Sequence, residues 1–341
     1  MTAISLTRRA LLGAAALATA LATLPARAQD GADYILATAS TGGTYYPVGV
    51  AIATLTKVKL QPKQKIGMSA INSAGSAENV RLIREGEAQF AILQGLFGTY
   101  AWTGTGPVEA DGRQEHMRAV SMLWQNVEQF VIDAEAAETG TIADVMALKG
   151  TKMALGRQNS GTIGSNRTLL ANLGLDMDAD FELFYAGYGP SADALQNGQV
   201  EGISTPAGVP TGAITRLMAS AGESVRLLSF TPEQAAEADG GLNLWTPFTI
   251  PAGTYPGQDT DVVTIAQPNF LATHADVPEE HVYLITKTMY ENLPFLQAIH
   301  PATKAMALEK ALAGLPLPLH PGAARFYQEA GVEVPERLMI Q

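Results

Sequence analysis

Short apolar segments alternate with amphipathic helical patterns along most of the chain, and this alternation restricts the fold more than any other sequence feature. Residues 34–37, 66–71 and 90–93 have the pattern of strands. A helical pattern follows the first two, opened by Pro47 in one case and by Ser76 as an N-cap in the other. Strands separated by helices predict a parallel sheet with right-handed crossovers.

A second run of alternating strands and helices fills the middle of the chain. Strand patterns at 152–155, 181–184 and 200–204 enclose helical patterns at 164–173 and 191–196. Two similar α/β units in one chain predict two lobes, because single hydrophobic cores stop growing beyond about 250–300 residues.

The expected fold is therefore a two-lobed α/β protein, each lobe a mixed, mainly parallel sheet flanked by helices. We expect residues 29–134 and 250–341 in the first lobe and residues 135–249 in the second, with a hinge near 133–138 and 245–260. Ligands of open α/β sheets bind at the carboxyl ends of the strands. The predicted binding site is thus the cleft between the two lobes.

Residues 1–28 have the three parts of a cleaved secretory signal peptide. Arg8 and Arg9 form the basic region, an apolar run follows over 10–24, and Ala26-Arg27-Ala28 forms the cleavage signal. Paired arginines followed by Leu-Leu also fit a twin-arginine signal, so Sec and twin-arginine export both stay open.

Composition excludes several classes of protein. The 341 residues carry a net charge of −11, and cleavage after Ala28 would remove three arginines and no acids, which gives −14 for 313 residues. Such an acidic chain argues against nucleic-acid binding. There is no cysteine, which excludes disulfides, thiolate metal sites and a lipid-anchored N-terminal Cys. With no second long apolar run, we expect a periplasmic monomer that is not itself embedded in a membrane.

Three strand-to-helix loops carry glycines and small polar residues that suit an anionic ligand. Glycine allows close backbone approach, amides at a helix N-terminus attract anions, and arginine supplies a counter-charge. The candidate ligand-binding residues are Thr41, Gly43, Thr44, Tyr45 and Tyr46 in the first loop, Ser73, Gly75 and Ser76 in the second, Arg157, Ser160, Gly161 and Thr162 in the third, and also Gln94 and Gly208.

Simpler interpretations of these loops remain. The first loop also fits a tight turn with core tyrosines, Ser76 fits an ordinary helix cap, and Arg157 fits a solvated surface residue.

An enzyme is the first alternative, and its usual signals are missing. The chain has no Gly-x-Ser-x-Gly elbow, and Ser160 has no evident base nearby in sequence. None of the histidines has a metal-ligand spacing; they are His116, His274, His281, His300 and His320. We therefore expect a binding protein with no catalytic residue, no metal and no cofactor.

Several motifs together resemble one receptor family. The first is Thr41-Gly42-Gly43-Thr44-Tyr45-Tyr46-Pro47, followed by Ser73-Ala74-Gly75-Ser76-Ala77-Glu78-Asn79, Ser160-Gly161-Thr162, Ile250-Pro251-Ala252-Gly253-Thr254-Tyr255 and His320-Pro321-Gly322. In this order they resemble the TAXI family of TRAP transporter solute receptors, over nearly all of the chain after residue 28.

The resemblance implies a type II periplasmic-binding-protein fold and delivery of a solute to a TRAP-type membrane permease driven by an ion gradient. It also implies a small carboxylate ligand, such as glutamate, 2-oxoglutarate or a related dicarboxylate. Ligand contacts are implied for Gly43, Thr44, Tyr45, Tyr46, Ser160, Gly161 and Thr162. A receptor that feeds a sensor kinase or another permease stays open, because the same fold serves all of these.

The sequence departs from the family pattern near the expected cleft. Ala74 replaces a common glycine, and the segments at 94–97 and 123–126 differ from the usual ones. These departures predict a ligand that differs from the familiar one.

Overall fold

The computed structural model describes residues 31–340, so the predicted signal peptide at residues 1–28 lies outside the described residues. The strands are β1 Ala32–Ala37, β2 Ile66–Ile71, β3 Phe90–Gln94, β4 Met117–Val127, β5 Phe130–Asp133, β6 Lys152–Ala154, β7 Glu182–Leu183, β8 Gly202–Ser204, β9 Val225–Leu227, β10 Thr246–Ile250 and β11 Val262–His274. The α-helices are α1 Tyr45–Gln64, α2 Ser76–Arg84, α3 Gly95–Thr103, α4 Asp144–Ala147, α5 Gly161–Asn172, α6 Met177–Asp180, α7 Tyr188–Gln196, α8 Gly212–Ala221, α9 Pro232–Asp239, α10 Glu279–Glu291, α11 Leu293–Ile299 and α12 Pro321–Glu329.

The larger sheet has the order β10-β11-β3-β1-β2. A sixth strand, β4, also pairs with β11 but lies outside this linear order. Strand β1 pairs in parallel with β2 and β3, as the alternating sequence pattern predicts. Strand β11 runs antiparallel to β3, β4 and β10. The sheet is therefore mixed, and its antiparallel part is built by the strands that connect the two lobes.

Strand β11 is one continuous strand, whereas the sequence predicts two separate strands at 262–265 and 269–272. Its neighbour β10 pairs up to Ala266, and its neighbour β3 begins to pair at Asn269. Pro268 lies in the gap between these two partners. Its missing N–H therefore breaks no ladder bond with either strand, and the strand continues through the proline.

The smaller sheet has the order β7-β6-β8-β5-β9. Strand β6 is parallel to β7 and β8, whereas β5 is antiparallel to β8 and β9. Residues 130–133 thus pair in the smaller sheet, and residues 246–250 pair in the larger one. The chain crosses between the sheets at Glu128–Gln129, before the predicted hinge near 133–138, and returns over the segment that ends at Trp245. The division into lobes as independent units remains a prediction.

Three buried clusters form the core. One fills the larger lobe around β1, β3 and β4, and the other two cover opposite faces of the smaller sheet. The connecting strands contribute to both lobes, because Ile250 and Tyr255 pack with Val131 and Leu227 of the smaller sheet. None of the helices within residues 31–340 combines the length and hydropathy that a membrane span requires.

Asn79 on α2 fixes the loops at the carboxyl edge of the larger sheet. Its Nδ2 donates to the carbonyl oxygens of Thr38 (2.8 Å) and Ile92 (2.9 Å), and its Oδ1 accepts from the Ser73 hydroxyl (2.7 Å). The side chain is fully buried. One amide therefore joins the ends of β1 and β3 to the loop after β2.

Replacing Asn79 by Ala should lower the free energy of unfolding by about 2–5 kcal/mol, because buried acceptors would lose their donors. Urea unfolding followed by circular dichroism measures the loss. Asn197→Ala, at an exposed residue after α7, is the matched control and should change stability by less than about 0.5 kcal/mol. Equal effects of the two changes would contradict the role given to Asn79.

Candidate functional site

A cavity lies between the two lobes, at the carboxyl ends of strands from both sheets. Its walls are loops that follow β1, β2 and β3 on one side and β6, β7 and β8 on the other, as expected for open α/β sheets. The lining residues are Ala39, Ser40, Gly43, Thr44, Tyr45, Ala74, Gly75, Ser76, Gln94, Asn126, Arg157, Ser160, Gly161, Thr162, Ala186, Gly187, Tyr188, Pro206 and Ala207.

Four helices begin at this cavity. Tyr45, Ser76, Gly161 and Tyr188 are the first residues of α1, α2, α5 and α7, and all four line the wall. The first N–H groups of a helix have no partner within the helix, and each N-terminus carries the equivalent of about half a positive charge. Among the described residues that line the cavity, none is acidic. The walls are therefore complementary to an anion.

The two lobes are in contact around the cavity. Across the cleft, the Thr44 hydroxyl donates to the Gly208 carbonyl (3.0 Å), and the Glu78 backbone N–H donates to the Asn159 carbonyl (3.0 Å). Asn159 has a positive φ of 59°, which is unusual for a residue other than glycine and is tolerated best by Asn and Asp. The two lobes are thus closed on each other, and the cavity between them has a volume of about 40 Å³.

A second contact between the lobes closes the cleft beside the cavity. Phe97 on α3 packs directly on Gly164 of α5, where a Cβ would overlap the aromatic ring. Tyr100 on α3 shares a hydrogen bond of 2.8 Å with Thr168 on α5. Gly164 therefore allows the two helices to approach closely.

Two amide side chains present polar atoms without partners at the cavity. Gln94 is 3% exposed and Asn126 is fully buried. Among the described residues, Gln94 Oε1 and Asn126 Nδ2 have no hydrogen-bond partner. Leaving a buried polar atom unpaired costs about 1–3 kcal/mol. Both residues line the cavity, so a polar ligand there could recover this cost.

Arg157 lies at the cavity mouth on the loop that precedes α5. Its Nη1 donates to the Ser73 carbonyl across the cleft at 3.5 Å, a long hydrogen bond. Within residues 31–340 it forms no ion pair, whereas the nearby Arg81, Arg84 and Arg167 each pair with carboxylates. Arg157 thus brings a positive charge that the described part of the chain does not neutralise.

Two tyrosines form aromatic walls on opposite sides. Tyr188 donates its hydroxyl to the Pro206 carbonyl (2.6 Å) and lies 2.8 Å from the Thr162 hydroxyl, while Tyr45 donates to Asn269 Oδ1 (2.5 Å). Burial raises the pKa of both phenols well above the ordinary value. Both rings are therefore neutral and fixed, and they limit the width of the cavity.

The cavity brings together most of the residues selected from the sequence. Lining residues among them are Gly43, Thr44, Tyr45, Gly75, Ser76, Gln94, Arg157, Ser160, Gly161 and Thr162. Ligand contact by these residues remains a prediction.

Four selected residues lie outside the lining. Thr41 is exposed, Tyr46 is half-buried on α1, and the Ser73 hydroxyl oxygen lies 2.9 Å from Thr38 O beneath the loop. Gly208 offers its carbonyl to the hydroxyls of Thr44 and Thr211. Ser73 and Gly208 thus support the loops that form the walls.

Sequence reasoning missed one whole wall. Ala186, Gly187 and Tyr188 follow β7, which has only two residues, and α7 begins earlier than the predicted helix at 191–196. This segment is a strand-to-helix loop with a glycine and a tyrosine, like the first loop. The same sequence pattern could therefore have identified it as part of the site. Asn126 belongs to the segment 123–126 that was expected near the cleft, but it was not selected as a ligand-binding residue, because it lies within β4 rather than in a loop.

Replacing Tyr188 by Phe should lower the free energy of unfolding by about 1–3 kcal/mol, because the Pro206 carbonyl and the Thr162 hydroxyl would lose their partner. Urea unfolding of the ligand-free protein measures this loss. Tyr46→Phe, at a half-buried tyrosine outside the cavity, is the control and should change stability by less than about 0.5 kcal/mol. A Tyr188→Phe protein as stable as this control would contradict the hydrogen bonding described.

Comparisons with solved structures show the fold. MatC from Rhodopseudomonas palustris with bound malate is 14% identical, with 87% of this chain and 95% of that chain covered and a TM-score of 0.51. A protein of Bordetella bronchiseptica is 13% identical, with coverages of 90% and 86% and a TM-score of 0.52. The alkanesulfonate-binding protein SsuA from Xanthomonas axonopodis pv. citri bound to MOPS is 12% identical, with coverages of 88% and 91% and a TM-score of 0.47.

The two-lobed periplasmic-binding-protein fold expected from the sequence is confirmed by the two mixed sheets, their flanking helices and these structural neighbours. The sequence profile of the NMT1-like family matches residues 36–331, which is most of the chain. On this match, the chain belongs to the NMT1-like family.

Proposed function

We propose that this protein is an extracytoplasmic receptor that captures a small carboxylate between its lobes and delivers it to a membrane permease. The observation that carries the proposal is the convergence of four helix N-termini on one cavity between the lobes, with no acid among the described residues that line it. Four like-signed helix ends in one cavity repel one another unless a negative charge lies among them.

The polar atoms of the walls favour a carboxylate within the class of anions. A planar carboxylate has two oxygens that accept hydrogen bonds, and the wall offers donors from both lobes. Asn126 Nδ2 is a buried donor without a partner among the described residues, and Arg157 adds a cation at the mouth. The bound malate of MatC, which has the same fold, is consistent with a carboxylate ligand here.

The size of the closed cavity favours a compact ligand. The volume of the cavity is about 40 Å³. The two fixed tyrosine rings prevent widening without side-chain movement.

Capture then depends on closure. The ligand enters while the lobes are apart, and contacts from both lobes stabilise the closed state, because only that state satisfies both sets. The crossings at Glu128–Gln129 and before Trp245 are where the rotation would be absorbed.

The finer parts of the proposal rest on the sequence. The motifs that resemble TAXI receptors favour a TRAP-type permease as the membrane partner, and residues 1–28 favour export to the periplasm. We propose a monomeric receptor without catalytic function.

A thermal-shift screen of residues 29–341 tests the receptor function. The protein is unfolded and refolded first, to remove any co-purified solute. The panel holds glutamate, 2-oxoglutarate, succinate, malate, phosphate, a sulfonate and neutral sugars, and succinamide serves as the uncharged match of succinate. A ligand at a hundred times its Kd adds about 2.7 kcal/mol, which should raise the Tm by roughly 5 °C. A shift with sugars alone, or with none of the anions, would contradict an anion receptor.

Replacing Arg157 by Gln should weaken binding of the responsive carboxylate about 10- to 100-fold, because a charged hydrogen bond contributes roughly 1.5–3 kcal/mol. Titration calorimetry measures the affinity, and urea unfolding of the ligand-free variant tests whether the fold is intact. Arg226→Gln, at an exposed residue of β9, is the control and should bind as the unmodified protein does. An unchanged affinity in Arg157→Gln would remove Arg157 from the binding site.

A further inference from the structure

Glu128 is a fully buried acid at the point where the chain first crosses between the lobes. Its backbone N–H donates to the Ile265 carbonyl (2.9 Å), and its own carbonyl accepts from the Thr264 hydroxyl (2.7 Å). Both partners belong to β11. The residue is therefore fixed in place by the long strand of the larger sheet.

The Glu128 carboxyl joins the two crossings. Its Oε1 accepts a hydrogen bond from Trp245 Nε1 (2.9 Å), and Trp245 is the last residue before β10 on the returning segment. A single side chain thus connects the outgoing and the returning chain at the hinge. A change in its charge acts directly on the place where the lobes would rotate.

The charge of this carboxyl is poorly compensated. The side chain of Gln267 lies near Glu128 and favours the charged form of its carboxyl group. However, neither Glu128 Oε2 nor Gln267 Nε2 has a hydrogen-bond partner among the described residues. Glu128 also forms no ion pair within residues 31–340. Burial therefore dominates and raises its pKa to about 7.

The surroundings connect Glu128 to the cavity. The titratable groups near it are Tyr45 on α1 and Tyr188 on α7, both in the cavity wall. Burial is the main cause of the raised pKa of each phenol, and the negative charge of Glu128 adds to it. On the returning segment, Asp239 accepts from the Trp245 backbone N–H (2.9 Å), and β11 contributes the neutral Gln267 and Thr264. None of these groups is a lysine or an arginine, and the partial positive charges at the N-termini of α1 and α7 lie in the same cavity wall.

We infer that Glu128 is a proton-binding site linked to the ligand cavity, so that capture of an anion is accompanied by uptake of a proton on the Glu128 carboxylate. The proton comes from water and binds the unpaired Oε2, and the anion in the cavity keeps its charge. The inference rests on the proposed function, because only an anionic ligand would make the negative charge of the nearby Glu128 carboxylate unfavourable.

The direction of the coupling follows from linkage. An anion in the cavity disfavours the charged carboxylate and raises the pKa of Glu128 above its ligand-free value. The liganded protein then binds more protons than the free protein at neutral pH, so affinity rises as the pH falls through this range. One unit of pKa difference corresponds to a tenfold limit in affinity. We expect affinity to fall about three- to tenfold between pH 6 and pH 8.5.

The first test needs no ligand. Because Trp245 donates to Glu128, the tryptophan fluorescence of the free protein should change with pH with a midpoint near 7. Glu128→Gln keeps an acceptor for Trp245 and should abolish this transition, while Glu135→Gln, at an exposed residue just beyond β5, should leave it unchanged. A transition that survives in Glu128→Gln would overturn the assignment of the proton site.

The second test measures coupling by titration calorimetry with malate, succinate and glutamate, in two cationic buffers of different ionisation enthalpy, because anionic buffers would compete for the cavity. We expect net proton uptake and tighter binding at low pH, with both effects lost in Glu128→Gln. Glu128→Asp retains an acid and should shift the pH dependence rather than remove it. Binding without proton uptake, or with equal pH dependence in Glu128→Gln, overturns the inference and leaves the receptor function intact. No binding of any panel anion overturns the proposed function itself.

Discussion

The convergence of helix N-termini on one edge of each sheet is the constraint on which the site depends. Parallel strands followed by helices place every strand-to-helix loop at the same edge, so the positive helix ends collect there. Two such edges face each other in this protein, with α1 and α2 on one side and α5 and α7 on the other. The preference for an anion that we propose would therefore come from the backbone arrangement, to which Arg157 adds one further charge.

This arrangement requires loops that do not move relative to the sheets. In the larger lobe, Asn79 satisfies the ends of two strands and one loop with a single buried amide. In the smaller lobe, Tyr188 ties its own loop to the Pro206 carbonyl beyond β8. Fixed loops keep the donors in place before the ligand arrives, which lowers the cost of ordering them on binding.

The approach of the two lobes that forms the cavity also brings a buried acid close to it. The chain crosses between the sheets at Glu128–Gln129, just after Asn126, which lines the cavity. Glu128 occupies this crossing and bonds to Trp245 on the return path. In the coupling that we infer, this acid would connect lobe geometry, ligand charge and protonation through one electrostatic interaction.

Local patterns in the sequence predicted the alternation of strands and helices, the two-lobed fold and the polar loops. Glycine-containing loops at 40–47 and 157–162 were recognisable because backbone approach and helix capping are encoded within a few residues. The continuous β11 was not recognisable, since a proline usually interrupts a strand. Here Pro268 lies between the ends of β10 and β3 on one edge, while β4 pairs along the other edge.

By itself, the sequence determined the alternation of strands and helices, and with it the edge at which a ligand site forms. Only the tertiary structure decided the second half of the wall around Tyr188, the partnerless amides of Gln94 and Asn126, and the position of Glu128 beneath them. The physical reason is that burial and hydrogen-bond satisfaction depend on groups far apart in the chain. Trp245 lies more than a hundred residues beyond the carboxylate that it contacts.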